Sequence, residues 1–210
     1  MVVRWYDQNP DRWLVEQQQA RRLLSNVRSS IRDGIAEISG DVSVESDHGH
    51  EYGPFRVTIT YPDRFPRPSP DQIPQVRLNN PPPNWTNRGN SHIEWDWRLC
   101  LFVPSEAEID FTQLNSLDRL VAVLKVFLFK EYIYQKRLLK HRKLNGPVPS
   151  WPGDDRAHGD KGIMESIDAS GVTPAKYDPC PCGRGKTFQE CHRSAFLRWK
   201  NEALMRAIYS

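Results

Sequence analysis

Long apolar runs are missing from this sequence. Nowhere in its 210 residues do about 20 consecutive apolar side chains occur, the length that a helix needs to cross a bilayer. The opening segment, MVVRWYDQNP, also lacks the apolar core and the small-residue cleavage site of a secretory signal peptide. These absences predict a cytoplasmic protein, in a reducing compartment, with no membrane partner.

An excess of one charge is missing too. The 29 lysines and arginines are nearly balanced by 26 aspartates and glutamates, which leaves a net charge of +3. So weak an overall field argues against a nucleic-acid partner. The exception is a cationic run over residues 136–143, at the end of a predicted helix, where cations complement the helix dipole. We favour a solvated helix end, and a partner-binding face is the alternative.

Cysteine is rare and unevenly placed. Three of the four cysteines lie in CPCGRGKTFQECH near the C-terminus, and Cys100 stands apart in SHIEWDWRLCLFVP. Cys180, Cys182, Cys191 and His192 supply three thiolates and one imidazole, the ligand set that tetrahedral zinc prefers. Four protein ligands close the shell, so the pattern predicts one structural zinc per chain that helps a short tail to fold. Disulfides are the alternative, which a reducing compartment disfavours.

The spacing Cys-x-Cys-x8-Cys-His resembles the SEC-C motif, a small zinc-binding module appended to many bacterial proteins, the SecA translocation ATPase among them. The resemblance implies a docking or recruitment element with no catalytic role. Apolar residues after the motif are expected to form an accompanying short helix: Phe196, Leu197, Trp199, Leu204 and Ile208.

The rest of the chain shows helical and strand-like patterns in turn. Asn9 and Pro10 form a helix start, and apolar residues at helical spacing predict an amphipathic helix that ends near Asp33 and Gly34. Alternating apolar residues then predict three or four strands in an antiparallel meander, including residues 42–44, 55–61 and 76–78. The proline-rich segment YPDRFPRPSP separates the last two, and an apolar stripe over residues 114–143 predicts a long helix.

This order resembles the ubiquitin-conjugating enzyme family, in particular its divergent bacterial members. The matching landmarks are the proline segment, the strand PQVRL and the stretch around the lone cysteine, at Tyr61-Pro62, Phe65-Pro66, Pro68, residues 74–78 and residues 98–101. The resemblance implies an α+β ubiquitin-conjugating (UBC-like) fold, with an N-terminal helix, an antiparallel meander sheet, C-terminal helices and the zinc-binding tail. We predict a catalytic domain over residues 1–150, a connector over 151–176 partly ordered by Trp151, and a SEC-C module over 177–210.

The resemblance implies that Cys100 is the catalytic cysteine. His92 matches the family's histidine, whereas the asparagine that usually holds the oxyanion is missing, and Asn90 is a candidate to replace it. Arg98 is expected to favour the thiolate. Taken by themselves, the apolar neighbours of Cys100 favour a small buried core residue, and His92 has an equal alternative as a residue that only holds the loop.

Three tryptophans flank this stretch, in NWTNRGNSHIEWDWRLC. We predict that Trp85, Trp95 and Trp97 pack it onto the sheet. Stacking on a base or a peptide is the alternative, and Glu94 and Asp96 argue against a phosphate backbone.

One cysteine suffices for conjugation, because a thioester stays activated until an amine attacks it. The resemblance implies a transferase that takes a protein C-terminus onto Cys100 and passes it to a lysine. Likeness to members in bacterial anti-phage (CBASS) operons implies a cyclic-oligonucleotide synthase (CD-NTase) as protein partner, and a separate activating enzyme is a second candidate. The alternative is a catalytically silent UBC-fold scaffold recruited through its zinc module. A cysteine hydrolase ranks third, because no residue that would orient His92 can be named.

Overall fold

The computed structural model describes residues 4–46, 49–67, 72–87, 90, 92–102, 109–144, 149, 151–152, 160–169, 171–182 and 186–209. Within these ranges, no helix combines the length and the apolar character needed to cross a membrane. The elements in chain order are α1 (Trp5–Gln8), α2 (Pro10–Leu23), β1 (Ser25–Arg32), β2 (Ile35–Glu45), β3 (Glu51–Tyr61), β4 (Gln75–Asn79), α3 (Ser116–Leu144), α4 (Asp160–Ala169), α5 (Phe188–Cys191) and α6 (Arg193–Tyr209).

The strands form an antiparallel sheet in the order β1-β2-β3-β4, so each pairs with its neighbour in sequence. Along β2, buried and partly buried residues alternate, as expected for a strand with one face on a core. Buried side chains of this sheet and of α3 belong to one apolar cluster. The predicted α+β class with an antiparallel meander is therefore confirmed.

The first long helix is shorter than predicted. It starts where expected, because the Asn9 side chain accepts a hydrogen bond from the Arg12 N–H and Pro10 is the first helical residue. It ends at Leu23, and the next eight residues form β1. The prediction was wrong because Val27 and Ile31 are four residues apart, a spacing that puts side chains on one face of a strand as well as of a helix.

Asp33 and Gly34, predicted to end a helix, form the turn of the β1–β2 hairpin. Their φ angles are +51° and +76°, and the turn joins Arg32 to its partner Ile35. Two consecutive positive φ angles are those of the type I′ turn, for which Asp-Gly is a preferred pair. The Tyr6 hydroxyl donates to the Gly34 carbonyl at 3.1 Å, so α1 also holds this turn.

We expect Gly34→Ala to destabilise the fold by about 1–2 kcal/mol, because a residue with a Cβ is strained at this positive φ. Urea unfolding measures this cost. The matched control is Gly34→Asn, since both variants bring a Cβ against the Arg4 side chain, whose Nη2 would lie 2.8 Å away, but asparagine tolerates the left-handed conformation better. Equal costs for the two variants would assign the effect to crowding and contradict the role of φ.

A buried ion pair fixes α2 against the segment before α3. Arg12 is 3% exposed and Glu16 is 1% exposed, and their side chains approach to 2.7 Å. The Arg12 guanidinium also donates to the Phe111 carbonyl and to the Ser116 hydroxyl, while Glu16 accepts from the Tyr61 hydroxyl at 2.8 Å. Burial raises the pKa of Glu16, against the opposing effects of Tyr61 and Arg12.

The long helix α3 agrees closely with its prediction. Its buried apolar residues recur at helical spacing: Leu117, Leu120, Val121, Leu124, Phe127 and Leu128. The buried stripe then continues through two polar residues, Glu131 at 0% exposure and Gln135 at 3%. Their partners lie in the Cys100 region.

The helix α4 lies within the segment predicted to be a connector, where no helix was predicted. Its residues Ile163, Met164 and Ile167 are buried in a second apolar cluster together with Cys180, Phe188 and Phe196. Upstream of α4, Trp151 packs against the main core, as expected. By its packing, α4 therefore belongs with the C-terminal elements.

Candidate functional site

The C-terminal cysteines and histidine converge on one point. Cys180, Cys182, Cys191 and His192 each offer one ligand atom, and these atoms lie within 4.8 Å of one another. The Cys180 sulfur is 3.0 Å from His192 Nδ1, and the sulfurs of Cys182 and Cys191 are 3.5 Å apart. The predicted cluster is thus assembled by the fold.

Local backbone pairing brings the two halves of this cluster together. Pro179 and Thr187 form an antiparallel bridge, and the Cys180 N–H donates to the Lys186 carbonyl at 2.9 Å. Thr187 then starts α5 with a capping box, in which its hydroxyl accepts from the Glu190 N–H and the Glu190 carboxylate accepts from the Thr187 N–H. This sharp start places Cys191 at the end of a short helix, facing the first two cysteines.

These residues fit a zinc ion. Zinc–sulfur bonds of about 2.3 Å place tetrahedral ligands about 3.8 Å apart, close to the separations that the structure shows. None of the four cysteines is in a disulfide, contrary to the alternative. Hydrogen bonding from Cys182 lowers the pKa of the Cys180 thiol, the direction that a thiolate ligand needs. Cys180 and His192 are buried, at 1% and 2% exposure.

The tail also has a small apolar core, which the sequence interpretation did not anticipate. The helix α6 follows the ligands as predicted, and its Phe196 packs at 6.0 Å from Phe188 and stacks on Trp199 at 6.2 Å. Leu197 is 45% exposed. The side chains of Leu204 and Ile208 lie outside the described residues. Helix α4 therefore supplies part of the buried apolar surface of this module.

Cys100 ends a stretch that pairs with the sheet. Its partners are Val76 and Leu78 of β4. The Leu99 N–H donates to the Val76 carbonyl at 2.8 Å, and the Trp97 carbonyl accepts from the Leu78 N–H at 2.9 Å. Leu99 is buried at 7% exposure, whereas Cys100 is half-buried. Backbone hydrogen bonds therefore hold this stretch. Cys100 itself is more exposed than expected for the small buried core residue that its apolar neighbours predicted.

His92 lies opposite Cys100. The Cys100 N–H donates to the His92 carbonyl at 2.9 Å, and Ile93 pairs with Leu99 one step further along. The imidazole is 6% exposed and stacks on the Trp151 indole, with 4.1 Å between ring centroids and 19° between planes. The structure thus brings the two predicted site residues together and explains why Trp151 follows them: its ring covers His92.

Glu131 connects the parts of this region, and the sequence interpretation missed it. Its carboxylate accepts hydrogen bonds from Asn90 at 2.8 Å, from Gln135 at 2.7 Å and from the Trp151 indole at 2.8 Å. Burial raises the pKa of Glu131, against the opposing effects of these three donors. The signal was present in the sequence, because Glu131 and Gln135 continue the apolar stripe of α3 at helical spacing.

Asn90 and Arg98, which were predicted to assist Cys100, bond to other side chains. The Asn90 side chain donates to Glu131 and accepts from the His92 N–H at 2.9 Å, so it holds the loop at His92. The Arg98 guanidinium lies 2.6 Å from Glu94 and 3.8 Å from Asp96. Its charge is therefore offset by two carboxylates.

The three tryptophans behave differently from one another. Trp85 is 9% exposed and packs 5.4 Å from Phe55, and Trp97 is half-buried against the core, as predicted. Trp95 is 85% exposed, so the prediction that it packs the stretch onto the sheet was wrong. It lies in the turn between the paired residues Ile93 and Leu99.

Comparison with known proteins supports the tail assignment. The model of the SEC-C motif matches residues 178–194, which include all four candidate ligands. Protein translocase subunit SecA of Laribacter hongkongensis (strain HLHK9) is 42% identical over 40 residues, which are 19% of this chain and 4% of that relative. No solved structure matches the chain. The chain thus carries a SEC-C motif, a zinc-binding module, while spanning only a small part of the relative it matches.

Proposed function

We propose that this protein is a ubiquitin-conjugating-type transferase that carries a protein C-terminus as a thioester on Cys100 and passes it to a lysine. The observation that carries the proposal is the placement of Cys100: half-buried, in a stretch paired with β4, directly opposite His92 and before the long helix α3. The element order supports it, with an N-terminal helix and a four-stranded meander ahead of the cysteine.

The reaction needs an activated carboxyl group, either an acyl-adenylate from an activating enzyme or another thioester. The Cys100 thiolate attacks the carbonyl carbon, a carbon–sulfur bond forms, and the adenylate or thiolate leaves with its electron pair. The lysine amine then attacks the new thioester, a carbon–nitrogen bond forms, and Cys100 leaves as thiolate while the amine proton passes to solvent or a base. The half-buried position of Cys100 limits the access of water to the thioester between the two steps.

Within this proposal Cys100 is the nucleophile and His92 a positioning residue. The His92 imidazole is buried beneath Trp151, and the His92 backbone carbonyl accepts a hydrogen bond from the Cys100 N–H. His92 therefore shapes the loop that holds the thiol. This favours the loop-holding role over direct transfer of the lysine proton. Glu131 fixes both Trp151 and Asn90, and therefore supports His92 from two sides.

The resemblance to members in anti-phage CBASS operons suggests a CD-NTase as the protein that is conjugated, with a separate activating enzyme where the first acyl donor is an adenylate. The SEC-C module is proposed to hold one structural zinc and to serve in recruitment, because four protein ligands leave no position open for a substrate. That closed ligand set also favours the second candidate, a catalytically silent scaffold recruited through the zinc module.

A thioester-trapping experiment tests the proposal without an activating enzyme. A CD-NTase prepared with a C-terminal 2-mercaptoethanesulfonate thioester should form an adduct with the full chain that thiol reductants cleave. Cys100→Ala should abolish the adduct, and Cys100→Ser should give an ester that survives reductant. Adduct formation by Cys100→Ala, or none by the wild type, would contradict a transferase and leave the scaffold.

A further inference from the structure

The turn before Cys100 presents a tryptophan to solvent. Trp95 is 85% exposed, more than any other large apolar side chain among those the structure describes as exposed, the next being Tyr177 at 74%. Tryptophan offers a large apolar surface, so leaving it in water forgoes stabilisation that burial would give. Its neighbour Trp97, two residues away, is half-buried against the core.

The turn that carries Trp95 is braced on both sides. The Asn87 side-chain amide donates to the Trp95 carbonyl at 2.7 Å and to the Glu94 carbonyl at 3.1 Å. The Trp97 N–H donates to the Glu94 carbonyl at 3.0 Å, and the Arg98 N–H donates to the Asp96 carboxylate at 3.2 Å. A side chain on a fixed backbone loses little conformational entropy on binding, which suits an aromatic anchor.

The charges of the turn indicate the kind of partner. Glu94 and Asp96 flank Trp95 and both lie within 4 Å of Arg98, so residues 94–98 carry one net negative charge. Negative flanks repel a phosphate backbone and attract lysine or arginine. Tryptophan is also among the residues that most often dominate the energy of protein–protein contacts. The fitting partner is a protein whose apolar pocket is bordered by a cation.

Trp95 lies within reach of the same docked protein as Cys100. Five residues of fully extended chain span at most about 18 Å. A standard interface covers about 800 Å² on each partner, a patch roughly 30 Å across. One interface of standard size is therefore large enough to include both the Cys100 thiol and the turn.

We infer that Trp95 is the anchor by which the protein substrate of Cys100 docks, with its indole in an apolar pocket bordered by a lysine or arginine. This inference rests on the proposed function. It assigns the recognition of the substrate to the turn at residues 94–97, separate from the thiol that reacts.

The experiment compares two acyl donors on the same cysteine. One is the CD-NTase bearing the C-terminal mercaptoethanesulfonate thioester, and the other is a short peptide of the same C-terminal sequence bearing the same thioester. We expect Trp95→Ala to slow transfer from the protein by roughly 30-fold, the effect of losing a hot-spot tryptophan. Transfer from the short peptide should be unchanged, since the peptide has no pocket for the indole. Trp95→Phe should recover part of the rate.

The control is Leu114→Ala, which truncates another exposed apolar side chain, 60% exposed, outside both the turn and the SEC-C module. It should leave transfer from both donors at the wild-type rate. Equal rates for wild type and Trp95→Ala with the protein donor would overturn the anchor while leaving the transferase intact. Failure of the wild type with both donors would reject the proposed function itself. If bound single-stranded DNA protects the Trp95 side chain from chemical modification and the CD-NTase does not, the turn binds nucleic acid and the inference is overturned.

Discussion

Removal of the metal is expected to unfold the C-terminal module, including α4, and to leave the main sheet and α3 folded. Structural zinc contributes about 10–16 kcal/mol of apparent binding free energy in small domains, far more than so small an apolar cluster supplies. Ile163, Met164 and Ile167 share their cluster with the ligand Cys180, so loss of the ligand geometry exposes them. Hydrogen exchange after chelation should show protection lost over residues 160–209 and kept over residues 25–144.

Cys182→Ser is the mutational form of this test, and Cys100→Ser is its matched control. The first should release the single zinc ion per chain and reproduce the loss of protection. The second removes one thiol of the same kind outside the cluster and should keep both the metal and the fold. Loss of protection in β2 and β3 on chelation would show that the module and the main core unfold as one unit, contrary to the predicted division.

Glu131→Gln is expected to destabilise the main domain by about 1–3 kcal/mol at neutral pH, because an unsatisfied polar group in a buried site costs about that much. The two carboxylate oxygens accept from three N–H donors, and a glutamine must turn its own N–H₂ toward at least one of them. Gln135 cannot rotate to compensate, since its amide is bonded at both ends to the backbone of Thr86. Urea unfolding measures the loss.

Asp118→Asn is the matched control, because it makes the same change on the same helix. The Asp118 carboxylate pairs with Arg22, whose side chain is 66% exposed, and such surface pairs contribute about 0–1 kcal/mol. Hydrogen exchange adds a local test: Glu131→Gln should speed exchange at the Cys100 amide, which bonds to His92, and Asp118→Asn should not. Similar costs for the two variants would contradict a special role for the buried carboxylate.

The pH dependence of the same variant follows from the raised pKa of Glu131. A carboxyl group whose pKa is higher in the folded state contributes its full stabilisation below the ordinary value of 4.5 and loses it as the pH rises through the folded pKa. The stability difference between wild type and Glu131→Gln should therefore be largest below pH 4.5 and shrink toward neutral pH. A difference that grows with pH would mean that the three donors outweigh burial.

Predictions from the sequence succeeded where the signal was local or strictly periodic. The apolar stripe of α3, the alternation of β2 and β3 and the spacing of the zinc ligands depend on neighbours a few residues away, and all three are found in the structure. The prediction of α2 was wrong at its end, where a four-residue spacing suits both kinds of element. Asp-Gly, a strong hairpin signal, marked the correct end of β1 instead.

The sequence by itself determined the four candidate ligands of the metal module, the long helix α3 and the position of a lone cysteine between the sheet and that helix. Only the tertiary structure decided which residues support that cysteine. Glu131 is distant in sequence from Asn90 and Trp151, and nothing in local spacing shows that a buried carboxylate will meet them. Tertiary packing likewise left Trp97 half-buried against the core and Trp95 exposed, because the backbone of Trp97 is bonded to β4 whereas Trp95 lies in the turn.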